Sequence, residues 1–335
     1  AKMNRKEFHT KAKSYLNTLC SVTPNRQVGS QGNHVATDFF ANTVSKWGYS
    51  IDTTPFNCID FESEKPTLSC EDTVYEIHVS PFSLGCDISA ELVVVSTVEE
   101  LEKCSCQNKI LLLKGSICAE QLMPKNFVFY NPDHHKKIYA LLEEKQPAAI
   151  ITVTSKNPQL VGNIYPFPMI NDGDFDIPSV YCTDIIGEEI ASKAGKSFKL
   201  KMKTKRIPTT ACNVIARKNL KAKQKITLCA HIDAVENTPG ASDNASGVVV
   251  LLLLAELLQD YQGQKGIEII AFNGEDHYSA GGQMDYLHRY NEGLDQIFVV
   301  INIDDVGYVK GKTAYSFYNC PTQIQQKTRS IFDQH

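Results

Sequence analysis

The chain has 335 residues, of which 42% are hydrophobic and 21% charged, with a formal net charge of −4. That is enough chain for two domains with their own cores, and the charge balance excludes a basic nucleic-acid surface. The longest apolar stretch, residues 248–258, is about half of a membrane span, and the basic start runs into a polar amphipathic stretch rather than the apolar core of a signal peptide.

The first segment predicts a helix, because Phe8, Tyr15, Leu16 and Leu19 fall on one face. A polar stretch over 24–33 contains Gly29 and Gly32, a second helix over 34–47 stops at Gly48, and a strand follows over 50–56. From Cys58 the texture changes to short β-rich pieces at 74–79, 90–95, 109–113, 149–153, 179–182 and 197–203. Turn residues punctuate them, and one helix stands among them at 135–144. No residue cluster here has catalytic spacing. The pattern predicts a smaller β-rich domain over 58–206, inserted into a main domain made of 1–57 and 207–335.

After Pro208 strands and helices alternate: strands at 225–230, 267–272 and 297–303, helices at 245–258 and 279–290. That order predicts an α/β domain built on a mostly parallel sheet with helices on both faces.

In such sheets ligands bind beyond the carboxyl ends of the strands. The three strands end in His231-Ile232-Asp233, Gly274-Glu275-Asp276 and Asn302-Ile303-Asp304-Asp305. A fourth acid, Asp243, stands just before the helix that follows the first strand. An Asp there is often only a helix cap; beside three acidic strand ends it reads as a metal ligand. One imidazole with several carboxylates suits a divalent cation, with zinc the natural candidate, and bridging carboxylates allow two ions. Adjacent acids at one strand end point in different directions. One of the pair Glu275 and Asp276 is therefore expected to bind metal and the other to move a proton.

These pieces resemble the zinc exopeptidase family that includes bacterial leucyl aminopeptidase and glutamate carboxypeptidase. The matching residues are His231-Ile232-Asp233, the stretch PGASDNASG over 239–247, Gly274-Glu275-Asp276, Asn302-Ile303-Asp304, and the segment from Arg26 to Asn33. The insert is similar to the protease-associated domain found at this place in many members. The resemblance implies that His231 and Asp304 bind one zinc, Asp243 bridges both, Asp276 binds the other, Glu275 is general base, and Asp233 orients His231. It also implies a cis peptide after Asp243. The family completes its second zinc with a further His beyond the third strand. His335 lies too close to Asp304 for that place, so the second site is expected to lack it, with the C-terminal part of the fold missing. His277 and His288 are the spare histidines.

The function expected is a zinc-dependent exopeptidase, foremost an aminopeptidase acting on peptides. Carboxypeptidase, dipeptidase and glutaminyl-cyclase-like activities on the same site are the alternatives, with a non-catalytic binding relative behind them. The insert's position suits gating, substrate holding or homodimerisation. The 11 cysteines are odd in number, scattered and without a CxxC pair. They are expected as free thiols in a reducing, cytoplasmic setting.

Overall fold

The computed structural model describes residues 3–157 and 164–334. The chain divides into two units, one comprising Ala1–Cys58, Thr210–Asp276 and Ala280–His335, the other Ile59–Thr209 with His277–Ser279.

The first unit begins with α1 (Arg5–Cys20) and α2 (Gln31–Val44). Asn4 accepts from the Glu7 amide while Glu7 accepts from the Asn4 amide, a reciprocal capping box. Ser30 caps α2 by accepting from the Asn33 amide. Then come β1 (Ser50–Ser63), β2 (Thr204–Lys218), β3 (Lys225–His231), α3 (Ser246–Leu257), β4 (Gly266–Phe272), α4 (Gly281–Arg289), β5 (Ile297–Asn302) and α5 (Thr322–Phe332). The five strands form one sheet in the order β1-β2-β4-β3-β5. β3 runs parallel to both β4 and β5, and β2 runs antiparallel to β4.

Strand alternation sends side chains to two faces. Val214, Ala216, Leu228, Ala230, Ile269 and Ala271 pack with α1, α2 and α3 on one side. Ile215, Cys229 and Ile270 pack with Tyr286 of α4 on the other. Helices therefore cover both faces, as the strand–helix alternation predicts. The sequence of α3, SGVVVLLLLAEL, is apolar nearly all round, and such a helix belongs inside. Its Val248, Leu251 and Leu252 are fully buried, each contributing about 1.5–3 kcal/mol of apolar burial.

Register places the functional ends together. His231 is level with Phe272 of β4, and Cys229 is level with Asn302 of β5. The ladder continues one step further, with the Ile303 amide donating to the Cys229 carbonyl at 2.9 Å. The residues just past Phe272 and Asn302 thus emerge on the rim where His231 ends its strand.

The second unit has an eight-stranded sheet. Its central strands Cys86–Val95, Ile110–Leu113, Ala149–Thr154 and Ser179–Thr183 are parallel, and its flanks are antiparallel. Among the described residues it carries three α-helices, Val98–Lys103, Asp133–Lys145 and Asp184–Ala191, where sequence patterning shows only the middle one. The other two span 6 and 8 residues, too short for a 3.6-residue period to stand out. Their local signals are threonine caps, Thr97 accepting from the Glu100 amide and Thr183 from the Ile186 amide. Among the described residues no helix is long and apolar enough to cross a membrane.

Candidate metal centre

His231 ends β3 with 4% of its surface exposed. Its Nδ1 lies 3.0 Å from the Asp233 main-chain carbonyl, to which it donates. That bond fixes the ring and turns Nε2 toward the carboxylates. Nε2 is 3.0 Å from Asp243 Oδ1, 3.6 Å from Glu275 Oε2 and 3.7 Å from Asp304 Oδ2. The ligating atoms of His231, Asp243 and Asp276 all lie within 4.8 Å of one another.

Two buried atoms in this cluster, His231 Nε2 and Asp276 Oδ2, make no aligned hydrogen bond, although Nε2 stands in a close polar contact with Asp243 Oδ1 at 3.0 Å. A buried polar atom left unpaired costs about 1–3 kcal/mol, and two at one spot facing the same acids call for a shared partner. The charge balance says the same. Burial alone would lower the His231 pKa, but Asp233, Asp243 and Asp276 more than reverse this, and it is pushed up to about 12. Burial first, then like charge from Asp233, Asp243 and Glu275 around it, pushes Asp276 up to about 8. Burial first, and neighbouring acids after it, push Asp304 up to about 6. Burial first, and the packed negative charge after it, makes both acids hold their protons to higher pH than ordinary carboxylates do. A divalent cation is the group that would take their place, and one imidazole with carboxylate oxygens is a donor set that fits zinc.

The supporting network explains how each ligand is held. The fully buried Asp233 also keeps its carboxylate Oδ1 3.6 Å from the ring Nδ1. Oδ1 accepts from the Glu275 amide at 3.1 Å and Oδ2 from the Asp276 amide at 3.0 Å. The strand leading into this turn is anchored by Asn273, which exchanges side-chain bonds of 2.8 and 3.0 Å with Asn33. The Asn273 amide donates to Asn213 Oδ1 at 3.0 Å.

Asp243 lies on the short 241–245 segment before α3, and the Asp243–Asn244 peptide is cis. It does not cap the helix. The neighbouring Asn244 does that work, its Oδ1 accepting from the Gly247 amide at 3.0 Å and its Nδ2 donating to the Ile303 carbonyl at 2.9 Å. Ser242 donates to Asp305 Oδ1 at 2.5 Å. The segment carrying Asp243 is thereby tied to the strand end carrying Asp304. The side chains of Asp243, Glu275 and Asp304 are 51%, 41% and 40% exposed, so the buried base of the cluster opens to solvent on its acidic side.

The structure thus brings together His231, Asp233, Asp243, Glu275, Asp276 and Asp304. Asn273, Asn33, Asn244 and the buried Arg26 belong to the same assembly and were not singled out for a role by sequence patterning. Of the spare histidines, His277 is buried beside the Phe82 ring at 5.9 Å. His288 lines a cleft with Arg217, Lys225 and Tyr290. His335 lies outside the described residues.

A second group with ligand-like spacing is Glu120, His134 and His135. Both imidazole Nε2 atoms face Glu120 Oε1, at 2.8 and 2.7 Å. The Met123 amide donates to His135 Nδ1 at 2.9 Å, which leaves the ring proton on Nε2, pointing at Glu120. A ligand nitrogen needs the opposite tautomer, so His135 meets Glu120 as a hydrogen-bond donor rather than as a metal ligand.

A parallel-sheet α/β domain with a histidine and carboxylates converging at its strand ends has the architecture of a metal-dependent hydrolase domain. Residues 213–334 match the model of peptidase family M28. It is 29% identical over 152 residues to aminopeptidase YwaD of Bacillus subtilis, covering 45% of this chain and 33% of that protein. It is 23% identical over 291 residues to the probable lipoprotein aminopeptidase LpqL of Mycobacterium tuberculosis, covering 83% of this chain and 54% of that one. The chain therefore spans about half the length, or less, of these curated relatives. Among solved structures, the zinc aminopeptidase BSAP from Bacillus subtilis superposes with a TM-score of 0.69 at 20% identity, over 97% of this chain and 77% of that one. The aminopeptidase from Aneurinibacillus sp. strain AM-1 gives 0.68 at 21% identity, over 90% and 71%. At these identities the likeness is one of fold.

Proposed function

We propose that this chain carries a zinc-dependent aminopeptidase centre that removes N-terminal residues from peptides. The observation carrying the reading is the pair of buried atoms without an aligned hydrogen bond, His231 Nε2 and Asp276 Oδ2, facing the acids that surround them. The reaction class is supported by the similarity to aminopeptidases of Bacillus subtilis and Mycobacterium tuberculosis.

His231, Asp243, Asp276 and Asp304 would hold the metal. Zinc bound there supplies positive charge that polarises the scissile carbonyl and acidifies water at the site. Glu275 then takes a proton from the attacking water and returns it to the leaving amine, with its backbone fixed by Asp233. Its side chain is 41% exposed with Oε2 3.6 Å from His231 Nε2, so it reaches both solvent and the centre. One imidazole stands in this cluster, and a single tightly held zinc per chain with a second, weaker ion is the stoichiometry the donor set favours.

The test is the Glu275→Gln variant. It keeps zinc but loses turnover of N-terminally free peptides by about 100- to 10,000-fold. Retained turnover would remove Glu275 from its role. Peptides with an acetylated N-terminus should resist the parent chain, and cleavage of them would overturn the aminopeptidase assignment. Elemental analysis after dialysis against trace zinc reads the ion count.

A further inference from the structure

Arg26 is 1% exposed, an unusual place for a guanidinium, whose burial is costly unless every donor is met. Its donors converge on one loop. Nε donates to the Ile232 carbonyl at 2.6 Å, Nη1 to Pro239 at 2.7 Å and to Leu19 at 2.9 Å, and Nη2 to Gly240 at 2.8 Å. Four carbonyls thus take up four of the five N–H groups of arginine's rigid planar fork.

The bonded carbonyls are not scattered. Ile232 follows His231 directly, and Gly240 lies three residues before Asp243. The Arg26 main-chain carbonyl adds the Ala234 amide at 3.1 Å and the Asn33 side chain at 3.3 Å, and Asn33 in turn holds Asn273 ahead of Glu275. One residue therefore clamps both ends of the loop joining His231 to Asp243 and touches the support of the third segment. Gly240 shows how close the fit is. Its φ is +55°, and a Cβ there would stand 2.7 Å from Arg26 Nη2 and 2.7 Å from the Asp243 carbonyl oxygen.

We propose that Arg26 is a positioning residue for the metal centre, setting the separation of His231 and Asp243 through the 232–240 loop without touching the metal or substrate. This rests on the zinc reading above. Lysine offers three donors on a flexible stem and cannot span the same carbonyls, so charge alone does not replace the fork.

The test measures zinc affinity of the full chain by competition with a chromophoric chelator, alongside circular dichroism and thermal unfolding of the metal-free form. Arg26→Lys, Arg26→Met and Gly240→Ala are compared with the parent. The expected result is native-like circular dichroism with zinc binding weakened about 10- to 100-fold. In all three variants kcat should fall while KM stays within about twofold. Folded variants with parental zinc affinity overturn the proposal. Should the Arg26 variants not fold, Gly240→Ala decides, weaker zinc supporting the proposal and unchanged affinity overturning it. A parent chain that binds no zinc overturns the metal-centre reading and this inference with it. A parent that binds, with variants binding equally, overturns this inference alone.

Discussion

The buried carboxylate of Asp233 holds the backbone of Glu275, its Oδ1 accepting the Glu275 amide at 3.1 Å while Oδ2 accepts the next amide, that of Asp276, at 3.0 Å. The same residue's carbonyl receives His231 Nδ1 at 3.0 Å. Asp233 thus sets a ring and a turn at once. An asparagine there keeps the shape but presents an NH2 group to one of the two amides. Asp233→Asn should therefore lose about 1–3 kcal/mol of stability, read by urea unfolding of the metal-free chain. It should also lower kcat about tenfold or more through a displaced Glu275. Parental values for both would show that the two amide bonds do not matter.

The metal-free chain should become less stable as pH rises. His231, Asp276 and Asp304 all have raised pKa values in the fold, to about 12, about 8 and about 6. The native state therefore binds more protons than the unfolded chain, and the slope of unfolding free energy against pH is negative. For Asp276 and Asp304 the loss runs from the ordinary carboxylate range up to their folded values. For His231 the contribution is complete below the ordinary imidazole range and disappears as pH climbs toward its folded value. Zinc competes with these protons, so its affinity should rise over the same window. Thermal melts at pH 5, 6.5 and 8, with chelator and with zinc, check both signs. A metal-free midpoint rising from pH 5 to 8 would contradict the crowded-acid account.

Glu120, His134 and His135 provide a control inside the same chain. The Met123 amide sets the His135 tautomer against metal ligation. Glu120→Ala should leave zinc stoichiometry and affinity unchanged while His231→Ala removes tight binding. Loss of an equivalent of zinc in the Glu120 variant would make this cluster a second centre.

The convergence of His231 and the acids on one rim was legible because it depends on local pattern. Apolar strands announce themselves, and each ends directly in His231, Glu275-Asp276 or Asp304, so parallel pairing alone brings them level. Asp243 taken alone was ambiguous, since a residue before a helix serves as cap or ligand alike, and only the acidic strand ends beside it made it read as a ligand. The structure assigns the cap to Asn244, which required knowing that β5 delivers the Ile303 carbonyl beside it. Asp233 was expected to orient His231, and its carbonyl contacts the ring Nδ1; that its carboxylate also holds the 275–276 turn had no signal in the pattern. Arg26, Asn33 and Asn273 stayed hidden because their meaning lies in partners some 200 residues away, and no periodicity reports such pairings. In the second unit, helices of 6 and 8 residues were too brief to leave a face.

Gly247 tests whether the strand end and the helix start must touch for the centre to form. A Cβ at this position would lie 2.4 Å from Asn244 Oδ1 and 2.4 Å from the Ile303 carbonyl oxygen. The second contact is backbone, so relief requires α3 and the end of β5 to separate, carrying Asp243 away from Asp304. In an unobstructed helix, glycine to alanine gains about 0.8–1 kcal/mol. Here overpacking of about 1–3 kcal/mol should outweigh that gain. Gly247→Ala should melt earlier than the parent and bind zinc more weakly, the second effect exceeding what the lost stability explains. Gly293→Ala is the matched control, since nothing lies within 4 Å of its added Cβ, and it should leave both properties unchanged. A Gly247→Ala chain with parental zinc affinity would mean that the two segments need not meet closely, and Asp304 would then be a minor ligand.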